Sequence, residues 1–310
     1  MSAQAPILMT PLAKKKIGHE RRKLFLGLAF ISPWMIGFLA FTLYPLLASL
    51  YYSFTNYSLF GSPKWIGLEN YINLFSDPKF YKSLGNTLIF SVIVVPASIV
   101  LALGLAILLN NKLRGNSIYR TLIFMPSVVP AVASAVVWIW ILSPQWGLLN
   151  GALRLIHLQG PPWLSSPDWA KPALLIITLW MIGSDMVLYL AGLQEIPLDY
   201  YEAAELDGAT AWQKTIYIVV PLLTPIMFFH LINAFIWSFQ YFSIPYIISV
   251  QGSGQPADSL LFYPLYLYQN AFRYLKMGYA SAMAWLLFLL VMVCTIIILR
   301  SSKSWVNYGN

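Results

Sequence analysis

Six side chains in two apolar stretches have the types and spacing of a polar binding surface. Asp185 and Tyr189 stand one helical turn apart, so on a helix they share a face, with Met181 one turn to the other side. Asn233, Trp237, Gln240 and Tyr241 fall at i, i+4, i+7 and i+8, a single helical stripe, and His230 lies near it. Polar groups interleaved with aromatic rings suit a molecule that has both hydroxyls and an apolar ring face, as a sugar does. Asp185 is the one acid inside an apolar run. A charge at the centre of a bilayer costs roughly 2.5–3.5 kcal/mol or more, so Asp185 is expected to face a bundle interior or a wet cavity. The expectation is that Asp185, Tyr189, Asn233, Trp237, Gln240 and Tyr241 line a path for a polar solute. The competing account is that these groups only hydrogen-bond between helices, and for His230 packing is the preferred reading.

No catalytic constellation accompanies them. The sequence holds no G-x-x-x-x-G-K-[ST] phosphate loop, so if ATP drives this protein the ATPase is another chain. His19, His157 and His230 are far apart, and neither a metal-ligand cluster nor a nucleophile triad is visible. No catalytic residue, metal or cofactor is assigned to this chain. The lone cysteine, Cys294, sits in an apolar run, which excludes an internal disulfide and a cysteine metal cluster. The net charge of +8 is dispersed or crowds the ends of apolar runs, so it reads as topology control and not as a nucleic-acid footprint.

The elements that position these residues are membrane spans. The chain is 59% hydrophobic and 10% charged, where a soluble domain carries about 25% charged residues. A span needs about 20 apolar residues, and six such runs are expected: about 24–50, 86–109, 121–142, 172–193, 218–242 and 277–299. The fold class is thus an all-α membrane protein of six transmembrane helices. A basic tail (1–23) precedes them, and a short tail (301–310) follows. Segments 51–83, 143–171 and 243–277 are expected as loops on one side. On the side of the termini lie twelve of the nineteen Lys and Arg residues, leaving seven on the other. The excess places both termini in the cytoplasm.

The loop between the fourth and fifth spans, 194–217, has a structure of its own. It carries Glu195, Asp199, Glu202, Glu205 and Asp207, five of the chain's eleven acids, and cannot lie in hydrocarbon. Pro197 suits a first helical turn, and Asp199 complements the helix dipole there. Gly208 supplies a left-handed stop, and Thr210 with Gln213 fits a capping box that restarts a helix into the next span. A short extramembrane helix, a glycine bend and a second helix are expected.

These residues carry a resemblance. Glu202, Ala203 and Ala204, then Asp207, Gly208 and Ala209, then Ile218 and Pro221, resemble the EAA loop of ABC importer permeases. Further stretches are similar to the sugar-type, maltose-transporter branch of that family: 65–71 (WIGLENY), 75–80 (FSDPKF), 120–126 (RTLIFMP) with Pro130 and Trp138, and 278–282 (GYASA). The resemblance implies a type I importer permease fold in the cell membrane of a bacterium or archaeon. It also implies partners: a second permease subunit, two ATP-binding subunits carrying ATP and Mg, and an extracytoplasmic solute-binding protein. The substrate would be a carbohydrate moved by alternating access. Residues 202–204 and 207–209 would form the helix that couples to the ATPase. An ion-coupled secondary transporter is the alternative, and it should carry more ionisable groups in its spans than Asp185 and His230.

Overall fold

The structure, a computed structural model, describes residues 13–110, 115–250 and 252–307. Residues 1–12, 111–114 (with Lys112 and Arg114), Gln251 and 308–310 lie outside that description. The chain divides into two compact units after Tyr52, where one six-helix body was expected.

The first unit is a helical rod. Helix α1 (Ala13–Phe38) starts inside the basic tail, passes through a π-helical turn at Leu39–Leu43, and continues as α2 (Tyr44–Ser53). None of its side chains from Arg22 to Tyr52 is buried. This accounts for the division: the rod is apolar enough to cross a membrane, yet its side chains are left facing outward.

The second unit begins with a short antiparallel bridge between Thr55 and Trp65 and helix α3 (Glu69–Phe75). Helix α4 (Pro78–Asn110) is its central post. Next come α5 (Asn116–Phe124), a 3-10 turn at Met125–Val128, and α6 (Ala131–Ile141). The expected third span is therefore not one helix: α5 with its turn meets α6 at 103°. Val129 precedes Pro130, which forces an extended backbone there and ends the helix. Helix α7 (Leu148–Leu155) lies in the following loop. The expected fourth span is also broken, into α8 (Pro167–Trp180) and α9 (Gly183–Glu195), bent by 47°.

Helices α10 (Leu198–Leu206) and α11 (Ala211–Lys214) make up the acidic loop. The second of these runs through a π-helical turn at Thr215–Val219 into α12 (Val220–Phe239). Then come α13 (Ser243–Ile248), α14 (Tyr263–Tyr268), a π-helical turn at Gln269–Arg273, and α15 (Met277–Ser301). Among the described residues, four helical stretches are long and apolar enough to cross a membrane, or up to six if each bent pair counts as one span.

The segment from 243 to 277 departs most from expectation. Expected as a loop, it folds inward: Leu260, Leu261, Phe262, Tyr263 and Leu265 are fully buried and form the centre of the larger apolar core with Phe80, Phe90 and Tyr241. Side chains of α4 satisfy its irregular backbone. Asn86 donates to the carbonyls of Asp258 (2.7 Å) and Leu261 (2.9 Å), and Thr87 Oγ1 accepts from the Tyr263 N–H at 2.9 Å. Non-helical backbone buried this deep requires such partners. A second apolar core, around Ala102, Ala106, Met186, Tyr189 and Leu223, packs α4 against α9 and α12.

Candidate functional site

A cavity of about 440 Å³ lies where α4, α8, α9 and α12 meet. Its walls carry Ser98 of α4, Thr178 of α8, Ser184 and Asp185 of α9, and His230, Asn233 and Trp237 of α12. Apolar residues such as Val94, Leu179 and Ile244 complete the lining.

The break between α8 and α9 places the acid. A Cβ on Gly183 would sit 2.4 Å from the Ile123 carbonyl oxygen and 2.6 Å from the Phe124 Cα, so only glycine lets α5 approach α9 here. Asp185 consequently stands in the first turn of a new helix within the bent pair, not in the middle of a continuous helix. The unpaired N–H groups of that turn favour a negative charge, which supplies part of the stabilisation that an acid in mid-helix would lack.

Asp185 and Tyr189 do share a face, and what they face is His230. The Asp185 carboxylate oxygen Oδ2 lies 3.5 Å from Nε2 of His230, and the Tyr189 hydroxyl lies 3.0 Å from Nδ1. The Ser98 hydroxyl is also 3.5 Å from Nε2 and donates its own hydrogen to the Val95 carbonyl. Two oxygens that accept therefore face Nε2, which assigns the ring hydrogen of neutral His230 to Nε2. Nδ1 then accepts from Tyr189. His230 is 4% exposed and Tyr189 is fully buried behind it, whereas the Asp185 side chain is 40% exposed and open to the cavity.

The expected stripe on the fifth span is partly dissolved. Asn233 and Trp237 line the cavity, and the Asn233 amide donates one hydrogen to the Phe229 carbonyl at 2.8 Å. Helix α12 ends at Phe239, so Gln240 caps its C-terminus and Tyr241 lies beyond it. Gln240 is exposed and off the cavity wall. Tyr241 is buried, stacked on Phe90 at 4.9 Å between ring centres, with its hydroxyl 2.9 Å from that of Thr178. Tyr241 and Tyr189 are thus support behind the wall. Sequence reasoning missed Ser98, Thr178 and Ser184, and undervalued His230. The signal for the histidine was present: it precedes Asn233 by one turn, on the same face.

The wall presents a carboxylate, an imidazole, a carboxamide, hydroxyls and an indole ring. That set can hold a polar solute by hydrogen bonds and ring contact.

The acidic loop has the expected bend. Helix α10 begins after Pro197, which stands at the N-cap and not within the first turn. It ends in a Schellman motif: the Ala209 N–H donates to the Ala204 carbonyl (2.9 Å) and the Gly208 N–H to that of Glu205 (3.0 Å), with Gly208 at φ +75°. Thr210 and Gln213 then form a reciprocal capping box, with Thr210 N–H to Gln213 Oε1 at 2.7 Å and Gln213 N–H to Thr210 Oγ1 at 3.3 Å. Lys214 reaches back across the bend to Glu205 at 2.7 Å, and that lysine holds the Glu205 carboxyl below the usual range. Glu202, Ala203, Asp207 and Gly208 are exposed, Ala204 and Ala209 half-buried, and Leu198, Leu206 and Trp212 present large apolar surfaces beside them.

Long apolar helices around a polar-walled cavity, with a capped acidic helix outside them, define a membrane permease. Residues 95–307 match the family described as the binding-protein-dependent transport system inner membrane component. The chain is 44% identical, over 96% of each sequence, to the probable ABC transporter permease protein YesP of Bacillus subtilis (strain 168). It is 37% identical to the lactose transport system permease protein LacF of Rhizobium radiobacter, over 86% of this chain and 90% of that one. In structure it resembles a chain of a bacterial alginate ABC transporter crystallised in complex with an alginate pentasaccharide-bound periplasmic protein (TM-score 0.79, 25% identity, 92% of this chain and 96% of that one). The chain belongs to the binding-protein-dependent transport system inner membrane component family. It is a multi-pass cell-membrane protein, the non-catalytic permease subunit of a sugar-type ABC importer whose ATPase is a separate subunit.

Proposed function

We propose that the cavity between α4, α8, α9 and α12 is this subunit's share of the path for a carbohydrate. The observation that carries the reading is the joining of cavity and loop by the same two helices: α9 brings Asp185 and leads into α10, and α12 brings His230, Asn233 and Trp237 and leads out of α11. Asp185, Asn233 and Trp237 contact the solute with His230. Tyr189 positions the imidazole, Tyr241 backs Trp237, and Gln240 shapes the end of α12. The sugar and oligosaccharide permeases among its relatives support a carbohydrate solute.

In this reading the six apolar stretches are six spans with both termini in the cytoplasm, as the bias of Lys and Arg supports. The permease domain covers 24–300, with the coupling loop at 194–217 on the cytoplasmic side. Glu202, Ala203, Ala204, Asp207, Gly208 and Ala209 dock in a cleft of an ATP-binding subunit. Two such subunits carry ATP and Mg, a second permease completes the path, and an extracytoplasmic binding protein delivers the solute. The neighbouring structure, solved with a periplasmic protein, supports that last partner. Closure of the ATPase dimer moves α10, tilts α9 and α12 and opens the cavity outward; ATP hydrolysis returns it inward.

The test is purification of the chain from its native membrane in mild detergent, followed by uptake into vesicles with an ionophore present. Recovery of an ATP-binding subunit and a second permease, with ATP-dependent sugar uptake, is expected. A chain that purifies alone, or uptake that the ionophore abolishes, would overturn the reading.

A further inference from the structure

A second cavity, of about 660 Å³, shares no lining residue with the first. It lies between the 56–77 segment, the π-helical turn at 269–273 and the start of α15. Its inner wall is a closed hydrogen-bond frame. Asp77 accepts from the hydroxyls of Tyr266 and of Tyr279 (2.9 Å) and from the Lys79 N–H (2.9 Å). Asn70 donates to the carbonyls of Ser53 (2.9 Å) and Thr55 (2.8 Å), and buried Asn270 donates to that of Tyr266 (2.9 Å). The rim is the opposite. Glu69, Asn73, Tyr274 and Lys276 are exposed, and none of their side chains has a hydrogen-bond or ion-pair partner among the described residues.

The backbone here departs from regular geometry. A π-helical turn leads to Leu275, whose φ of +57° is a conformation that a leucine rarely adopts. With that turn in place, Tyr274, Leu275 and Lys276 all line the one cavity. Strain of this kind and π-turns concentrate at functional sites. A satisfied, rigid frame beneath a rim of unused polar groups is the arrangement of a preorganised site.

We propose that this cavity is a second carbohydrate site, an outer one that holds a sugar ring before it reaches the inner path. The rim offers what the inner cavity offers: a carboxylate (Glu69), a carboxamide (Asn73) and an aromatic face (Tyr274), beside Asp185, Asn233 and Trp237 in the inner one. Carboxamide and carboxylate pairs match neighbouring hydroxyls, and a phenol ring covers the C–H face of a sugar. Lys276 lines the same cavity and carries the charge opposite to that of Glu69. The proposal rests on the importer reading for its sidedness.

The assembled transporter, in lipid nanodiscs without its binding protein, is exposed to a panel of neutral and acidic di- to pentasaccharides. Binding of at least one glycan should survive Trp237→Ala and Asn233→Ala, which disable the inner site. That surviving binding should weaken by roughly fivefold or more in each of Tyr274→Ala and Asn73→Ala, the loss of one ring contact or hydrogen bond. Both rim side chains are exposed and unpaired, so the variants should fold. Loss of all glycan binding in both inner-site variants, or surviving binding that the rim variants leave unchanged, would overturn the proposal. An ATP-binding subunit recovered in the same preparation reports on the importer reading separately. Sidedness is read from Asn73→Cys in a Cys294→Ser background: an impermeant maleimide should label it in intact cells, and labelling only after permeabilisation would overturn the outer placement.

Discussion

The Tyr189 hydroxyl and the Nδ1 of His230 are 3.0 Å apart in a layer sealed from solvent, directly behind the wall that Asp185 shares with His230. The bond fixes which nitrogen of the ring faces the cavity. Removing the hydroxyl leaves a buried acceptor without a partner, which costs about 1–3 kcal/mol. Tyr189→Phe should therefore lower the thermal midpoint of the purified complex and weaken uptake, while the Tyr189→Phe, His230→Leu double variant should recover part of the midpoint. A double variant no more stable than additivity allows would show that the pair does not act as a unit.

Asp185 faces the cavity from the first turn of α9. Asp185→Asn keeps the shape and removes the charge. Uptake should fall by about tenfold, equivalent to about 1.4 kcal/mol, with the amount of assembled complex unchanged. Uptake equal to wild type would exclude the carboxylate from the path.

Gly208 has open space around it and a φ of +75°. Within this chain, a substitution there meets no neighbour and strains only the backbone. A left-handed residue costs roughly 1–2 kcal/mol for most side chains and less for asparagine. Gly208→Val should reduce co-purification of the ATP-binding subunit and the ATPase activity coupled to solute, and Gly208→Asn should retain both. Equal loss in the two variants would point to contact with a partner as the reason for glycine.

Gly183 and Gly192 separate two kinds of crowding on one helix. A Cβ at Gly183 meets the backbone of Ile123 and Phe124, which cannot move aside, and one at Gly192 meets the tips of Ile226 and Leu223, which can. Overpacking costs about 1–3 kcal/mol and more where nothing yields. Gly183→Ala should give little folded protein, and Gly192→Ala a complex that forms with a modestly lower midpoint. The reverse order, measured by size-exclusion chromatography of tagged variants, would contradict the packing described here.

Lys214 holds the Glu205 carboxyl below its ordinary range through a hydrogen bond and its charge. A depressed carboxylate stabilises the fold above its ordinary pKa, and the contribution is lost as pH falls through the depressed value. The contact is exposed, so the effect is small and salt-sensitive. The difference in melting midpoint between wild type and Lys214→Met should be constant near neutral pH and close on acidification. A difference that persists in acid would assign the lysine another role.

What could be read from the sequence follows from what is local. The Schellman end at Gly208 and the Thr210–Gln213 box depend on residues within one or two turns, and both were legible. The long apolar helices were legible because hydropathy needs only composition. The α8–α9 break was not, because Gly183 matters through the backbone of Ile123 and Phe124 that approaches it; the α5–α6 break is written locally in Val129–Pro130, but an apolar run counted by composition hides it. The burial of segment 260–268 (LLFYPLYLY) was not legible because the segment lies between candidate spans, where a loop is expected. A run of such length is too short to cross a bilayer and too apolar for water, which marks re-entrant or buried segments. In the inner cavity, Asp185, Asn233 and Trp237 were found by residue type. Tyr241 and Gln240 were assigned by continuing a helix past its actual end at Phe239.

The unbroken helical run from Ala211 to Phe239 gives the molecule a rod with its heel in the acidic loop and its tip beside the cavity. From Ala211 to Asn233 the rod measures about 33 Å at 1.5 Å per residue. Rotation by about 5° about its heel carries the tip through about 3 Å, the width of one hydrogen bond. The cavity-facing amide of Asn233 and indole of Trp237 are thereby geared to the loop: a small rotation at the heel becomes, at the far end, a displacement large enough to exchange one set of hydrogen bonds for another.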